Sequence, residues 1–89
     1  MAESVLSMIR PQDYEAFLKI QGNEFPDSHA AWLYTHEKTT REHQGAGWIV
    51  IKVDIYPDEF SQYCKRTEST PTQVSLDDLA HVKHKEQRK

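Results

Sequence analysis

Between Trp48 and Phe60 the chain reads WIVIKVDIYPDEF, with Ile49, Ile51, Val53 and Ile55 at every second position and Val50, Lys52 and Asp54 between them. On a pleated backbone that period of two places the four branched residues on one face and the other three on the opposite face, which predicts a half-buried strand. A lone strand cannot satisfy its own N–H and C=O groups, so this one requires a neighbour. Three are available: residues 4–9 lying antiparallel to it, residues 72–75 as an added edge, or the same strand of a second copy across a two-fold axis. The first two are short and alternate poorly, which favours the second copy.

Elsewhere the pattern is mostly helical. In MAESVLSMI the apolar residues Val5, Leu6, Met8 and Ile9 flank Ser7, a spacing that suits a short strand and a helical turn equally well. Pro11 opens a helix with Asp13 and Glu15 near its positive end, Tyr14, Phe17, Leu18 and Gln21 at helical spacing, and Gly22 as its stop. Pro26, with Asp27 or Ser28 as cap, predicts a second helix running to about Glu42 or His43, whose half beyond Tyr34 is polar. The GAG of residues 45–47 predicts a loop. Pro57 then ends the strand and opens a third helix, with Phe60, Tyr63, Cys64 and Thr67 on one face. TESTPTQV reads as loop with a short extended piece around Thr72 to Val74, and Ser75 caps a last helix bearing Leu76, Leu79 and Ala80. The expected fold is α+β: a small antiparallel sheet of two to three short strands, or a ribbon shared across a dimer, packed with about four helices.

Composition narrows the picture further. Apolar residues are 37% of 89, enough for one small core under a polar skin. A single compact domain over residues 1–83 is expected, with 84–89 as a basic, disordered tail. Residues 1–80 hold thirteen acids against seven bases, whereas Lys83, Lys85, Arg88 and Lys89 face only Glu86 in the last nine. An acidic body repels phosphate at long range, which disfavours nucleic acid as the main partner. The single cysteine cannot form an internal disulfide, and the start of the chain lacks a charged-apolar-small leader, so a cytoplasmic location is expected. The longest apolar run, Trp48 to Ile51, is far short of the ~20 residues that span a bilayer, so no membrane partner is expected.

The candidate chemistry is sparse. His29, His36 and His43 repeat every seven residues along the second helix. Positions seven apart on a helix are separated by ~10.5 Å, so no two of them can share a metal whose bonds are ~2 Å. His81 and His84 are closer in sequence but lack further ligands at suitable spacing, and no metal site is expected. Cys64 reads as an apolar filler of the third helix. The pairs Asp58-Glu59 and Asp77-Asp78 each open a helix, where the dipole explains them. GAG precedes a strand, which is the wrong context for a phosphate cradle, and no cofactor is expected. These absences point to a protein that is not an enzyme.

From Ile49 onward the order of strand, PDEF, helix, turn and Ser-capped helix resembles the ribbon-helix-helix family. That resemblance implies a dimeric DNA-binding regulator using strand 48–56 and helices 57–67 and 75–85, with Lys52, Lys65 and Arg66 as contact residues. It departs from the family in its outward strand set, which includes Asp54. The first expectation is instead a non-catalytic protein–protein interaction or regulatory module acting as a homodimer or binding another protein. Trp32, Tyr34, Trp48 and Val50 are the candidate interface, because aromatics of this kind anchor interfaces.

Overall fold

In the computed structural model, which describes residues 2–87, the neighbour of the central strand lies in the same chain. Strand β1 (Glu3–Met8) pairs with β2 (Ile49–Asp54), and the register sets Glu3 opposite Ile49, Val5 opposite Ile51 and Ser7 opposite Val53. The pair is parallel, not antiparallel as expected. A parallel pair needs a long crossover, and the 17-residue helix α2 (His29–Gly45) supplies much of it. Pairing therefore resolves the ambiguous N-terminal segment as a strand. Gly47, at φ +89°, makes the turn from α2 into β2 in a backbone conformation that a side chain would strain.

The other helices follow the expected order with shifted boundaries. Pro11–Asp13 is a 3-10 turn leading into α1 (Tyr14–Leu18), shorter than the helix expected up to Gln21. The side-chain amide of Asn23 donates to the carbonyls of Leu18 at 2.9 Å and Ile20 at 2.8 Å, taking up groups that would otherwise extend the helix. Ser28 caps α2, its hydroxyl accepting from the Ala31 N–H. Helix α3 (Pro57–Thr67) opens on Pro57, and the Tyr56 N–H donates to Glu59 Oε2 at 2.8 Å. Helix α4 (Gln73–Gln87) begins two residues before the expected Ser75 cap and takes in the region read as an extended piece. The Leu76 N–H donates to the Thr72 carbonyl, and the Ser75 hydroxyl instead donates back to the Thr70 carbonyl at 2.6 Å. Residues 84–87, expected to be tail, continue this helix. The last two basic residues lie outside the described residues.

The Val5, Ile9, Val53 and Ile55 side chains meet Phe17, Phe25, Phe60, Leu76, Leu79 and Ala80 in one core. Phe60 is its hub, with ring centroids 5.6 Å from Phe17 and 5.9 Å from Phe25. Helix α2 meets the opposite set of strand residues: His43 bonds Ser4, and Glu37 lies 3.7 Å from Lys52. Lys83 ties α4 to the far end of β2, donating at 2.6 Å to both the Asp54 carbonyl and Glu59 Oε2.

Helix α3 ends with Glu68 at φ 55°, the left-handed position that glycine normally takes, while the Ser69 N–H donates to the Cys64 carbonyl at 2.9 Å. A side chain there costs about 1 kcal/mol relative to glycine. Glu68→Gly should accordingly raise the melting temperature by roughly 4–8 °C in a domain of this size, measured by circular dichroism.

Candidate functional site

The site is built around the outer edge of β1. The Ile49 N–H donates to the Ala2 carbonyl and the Ile55 N–H to the Met8 carbonyl, so the even-numbered backbone groups of β1 face β2. By alternation, Ser7 and Ile9 turn theirs away from the sheet. Side chains of two helices meet three of these four groups. Asp77 Oδ1 of α4 accepts from the Ser7 N–H at 3.1 Å and from the Ser7 hydroxyl at 2.7 Å. From α2, His36 Nε2–H donates to the Ser7 carbonyl and His29 Nε2–H to the Ile9 carbonyl at 2.7 Å.

The seven-residue histidine repeat thus has a structural meaning: His29, His36 and His43 reach Ile9, Ser7 and Ser4 in turn, so α2 runs antiparallel to β1 and spends one imidazole on each step. Among the described residues no group of three or more His, Cys, Asp or Glu side chains is placed to hold a metal ion. Helix α4 starts at Gln73 and has no acidic residue in its first turn, so the expected dipole role does not account for Asp77. That carboxylate closes a network in which Trp32 Nε1–H donates to Gln73 Oε1 at 2.8 Å, and Gln73 Nε2 donates to Ser7 Oγ at 3.0 Å and to Asp77 Oδ1 at 3.1 Å.

Next to this network lies a cavity of about 210 Å³ lined by Leu6, Phe25, Pro26 and Trp32 and by the polar residues Glu24, Thr35, His36, Thr39, Gln73 and Asp77. His36 is 6% exposed, and its ring lies 4.7 Å from that of Trp32 at 30°. Burial pushes its pKa below the ordinary value of 6.5, and the charge of Lys52 adds to this, against the opposing pull of the Ser7 carbonyl, Asp77 and Glu37. The ring is therefore neutral near pH 7. Because Nε2 carries the proton, Nδ1 is a bare lone pair, and it has no hydrogen-bond partner among the described residues. Ser7 is fully buried, so its hydroxyl, which donates to Asp77, is closed to any substrate. Cys64 is buried too, and burial pushes its thiol up, away from the reactive thiolate.

The four candidate interface residues do not share one environment. Trp32 is 3% exposed and belongs to the core, whereas Tyr34 is 72% and Trp48 45% exposed. Val50 is half-buried on β2. Of the candidate nucleic-acid contacts, Lys52 pairs with Glu37 on β2, and Lys65 and Arg66 close α3 with Arg66 over the Tyr63 ring. The strand is also committed to a parallel partner within the chain, unlike the antiparallel two-copy ribbon of the family it resembles. Sequence reasoning missed Ser7, Gln73 and Asp77. The signal available was the lone serine between two apolar pairs in a strand-like segment, a polar residue that burial obliges to find partners. Among the described residues no helix is long and apolar enough to cross a membrane. Comparison with protein-family models, curated proteins and solved structures finds no match to this chain.

Two outcomes test the site. Asp77→Ala leaves the buried N–H and O–H of Ser7 without an acceptor and should cost about 3 kcal/mol in urea unfolding, against about 0.5 kcal/mol for Asp78→Ala at the exposed neighbouring position. The second concerns pH. A histidine whose folded pKa is lowered takes up its proton more readily when unfolded, so its contribution to stability is present above pH 6.5 and is lost as pH falls towards the folded value. Unfolding free energy should fall below about pH 6.5 with a slope from this group of at most ~1.4 kcal/mol per pH unit, and His36→Gln, which keeps a donor for the Ser7 carbonyl, should flatten that fall.

Proposed function

We propose that the protein is a non-catalytic interaction module that associates with a second copy of itself through the outer edge of β2. One observation carries this reading. The odd-numbered groups of β2 bond β1, so the N–H and C=O groups of Val50 and Lys52 face outward, and no backbone partner meets them among the described residues. The next outward carbonyl, that of Asp54, is already taken by Lys83. An open edge flanked by exposed Trp48 and Ile49 is a template for strand addition.

A two-fold axis beside Ile51 suits this edge. It sets Val50 against Lys52 of the copy and Lys52 against Val50 of the copy, giving four main-chain hydrogen bonds and no facing lysines. The two β1–β2 pairs then form a four-stranded sheet. Exposed aromatics nearby support an interface, since such side chains bury much area at little entropic cost.

Sedimentation at tens of micromolar should give twice the chain mass. Val50→Pro removes an outward donor and leaves every β1–β2 hydrogen bond in place, so it should yield a monomer with an unchanged circular dichroism spectrum. A wild-type monomer at that concentration would overturn the reading.

A further inference from the structure

A groove of about 560 Å³ runs between α1, α3 and the loop joining α3 to α4, and no residue of either strand lines it. That volume falls within the ~300–1,000 Å³ of small-molecule sites. Ile20, Pro57, Cys64 and Pro71 give it apolar walls. Its charge is segregated. Lys19 and Lys65 both line it, and neither makes an ion pair among the described residues. Asp58 lines it too, but in the first turn of α3, seven residues and ~10.5 Å of helix rise from Lys65. Lys19 is the C-cap of α1, and the chain just beyond it is held against the loop that follows Lys65. There the Glu24 N–H donates to the Pro71 carbonyl at 3.2 Å, and a Cβ at Gly22 would stand 4.0 Å from Pro71 Cδ.

The remaining polar lining is rich in donors. The side chains of Gln21 and Ser61 make no hydrogen bond among the described residues. The Ser69 hydroxyl is already engaged, donating at 2.8 Å to Thr67 Oγ1, whose own proton goes to the Tyr63 carbonyl. Residues 1–80 hold thirteen acids against seven bases, so two unpaired lysines lining one space run against the charge of the body. We propose that this groove binds a small organic anion, an aromatic or short acyl body ending in one carboxylate. Lys19 and Lys65 supply the countercharge, Gln21 and Ser61 supply neutral donors, and the apolar body covers Ile20, Pro57, Cys64 and Pro71. Inorganic anions leave those walls wet, and a cation would meet two lysines against one carboxylate.

The test is an NMR titration of the full chain at about pH 7 and low salt, with 2-naphthoate, 2-naphthalenemethanol and 2-naphthylmethylammonium as probes of one shape and three charges. The naphthoate should saturate with a dissociation constant of about 1 mM or lower, moving the Ile20, Ser61 and Lys65 amides together. The alcohol and the amine should bind at least about tenfold more weakly. Lys19→Gln and Lys65→Gln, both at exposed positions, should each weaken the naphthoate about threefold and together about tenfold. Lys38→Gln, an exposed lysine of α2 outside the groove, makes the same change in net charge and should leave the constant unaltered. Asp58→Asn should tighten binding about twofold. Equal affinity for the alcohol, wild-type affinity in the double lysine variant, or no saturable shift at about ten times the expected constant would each overturn the proposal.

Discussion

The bonds that Asp77 and His36 make to the two outward backbone groups of Ser7 are the constraint on which the rest of the structure rests. A two-stranded sheet is marginal alone, and β1 is buried along most of its length, so water cannot satisfy its outer edge. Each unpaired group there would cost about 1–3 kcal/mol, a sizeable part of a stability expected to be about 5–15 kcal/mol. The helices are placed by this need as much as by apolar contact. Helix α2 must present an imidazole to Ser7, and α4 must present a carboxylate beside it.

That requirement explains what could be read from residue order and what could not. The alternation through Ile49–Ile55, the proline starts at Pro57 and Pro26, and the apolar face of Phe60 and Cys64 are local signals, and the elements they define are present. Sheet polarity is not local. It depends on which segment pairs with β2, and MAESVLSMI has no period that distinguishes strand from helix until that pairing is made. The site was hidden for the same reason. From residue order alone Asp77 has a local explanation as an acid opening a helix, and only the approach of β1 gives it a buried N–H and hydroxyl to accept from. The histidine repeat was visible, but its spacing spoke only against a shared metal. It carried no information about a strand lying beneath the helix.

The sheet's two edges are treated differently. The β1 edge is met at Ser7 and Ile9 by side chains from α2 and α4, whereas among the described residues the β2 edge is met at Asp54, where Lys83 reaches across from α4. Lys83 also bonds Glu59 and lies 4.9 Å from the Tyr56 ring, whose other cation neighbour is Arg10 at 4.7 Å. Tyr56 thus gathers positive charge from both ends of the chain at the junction of β2 and α3, and it leaves Val50 and Lys52 as the short stretch of sheet still open.

The distance along the chain between Ser7 and the residue that seals it has a consequence for biosynthesis. Asp77 comes 70 positions later, so a nascent chain carries a strand whose outward Ser7 N–H has no acceptor until α4 has been made. Helix α2 alone can cover one of the two Ser7 backbone groups, but the other stays wet until α4 arrives. The two backbone bonds at Ser7 therefore become possible at different stages of synthesis, and a chain shortened before α4 lacks the acceptor for the Ser7 N–H.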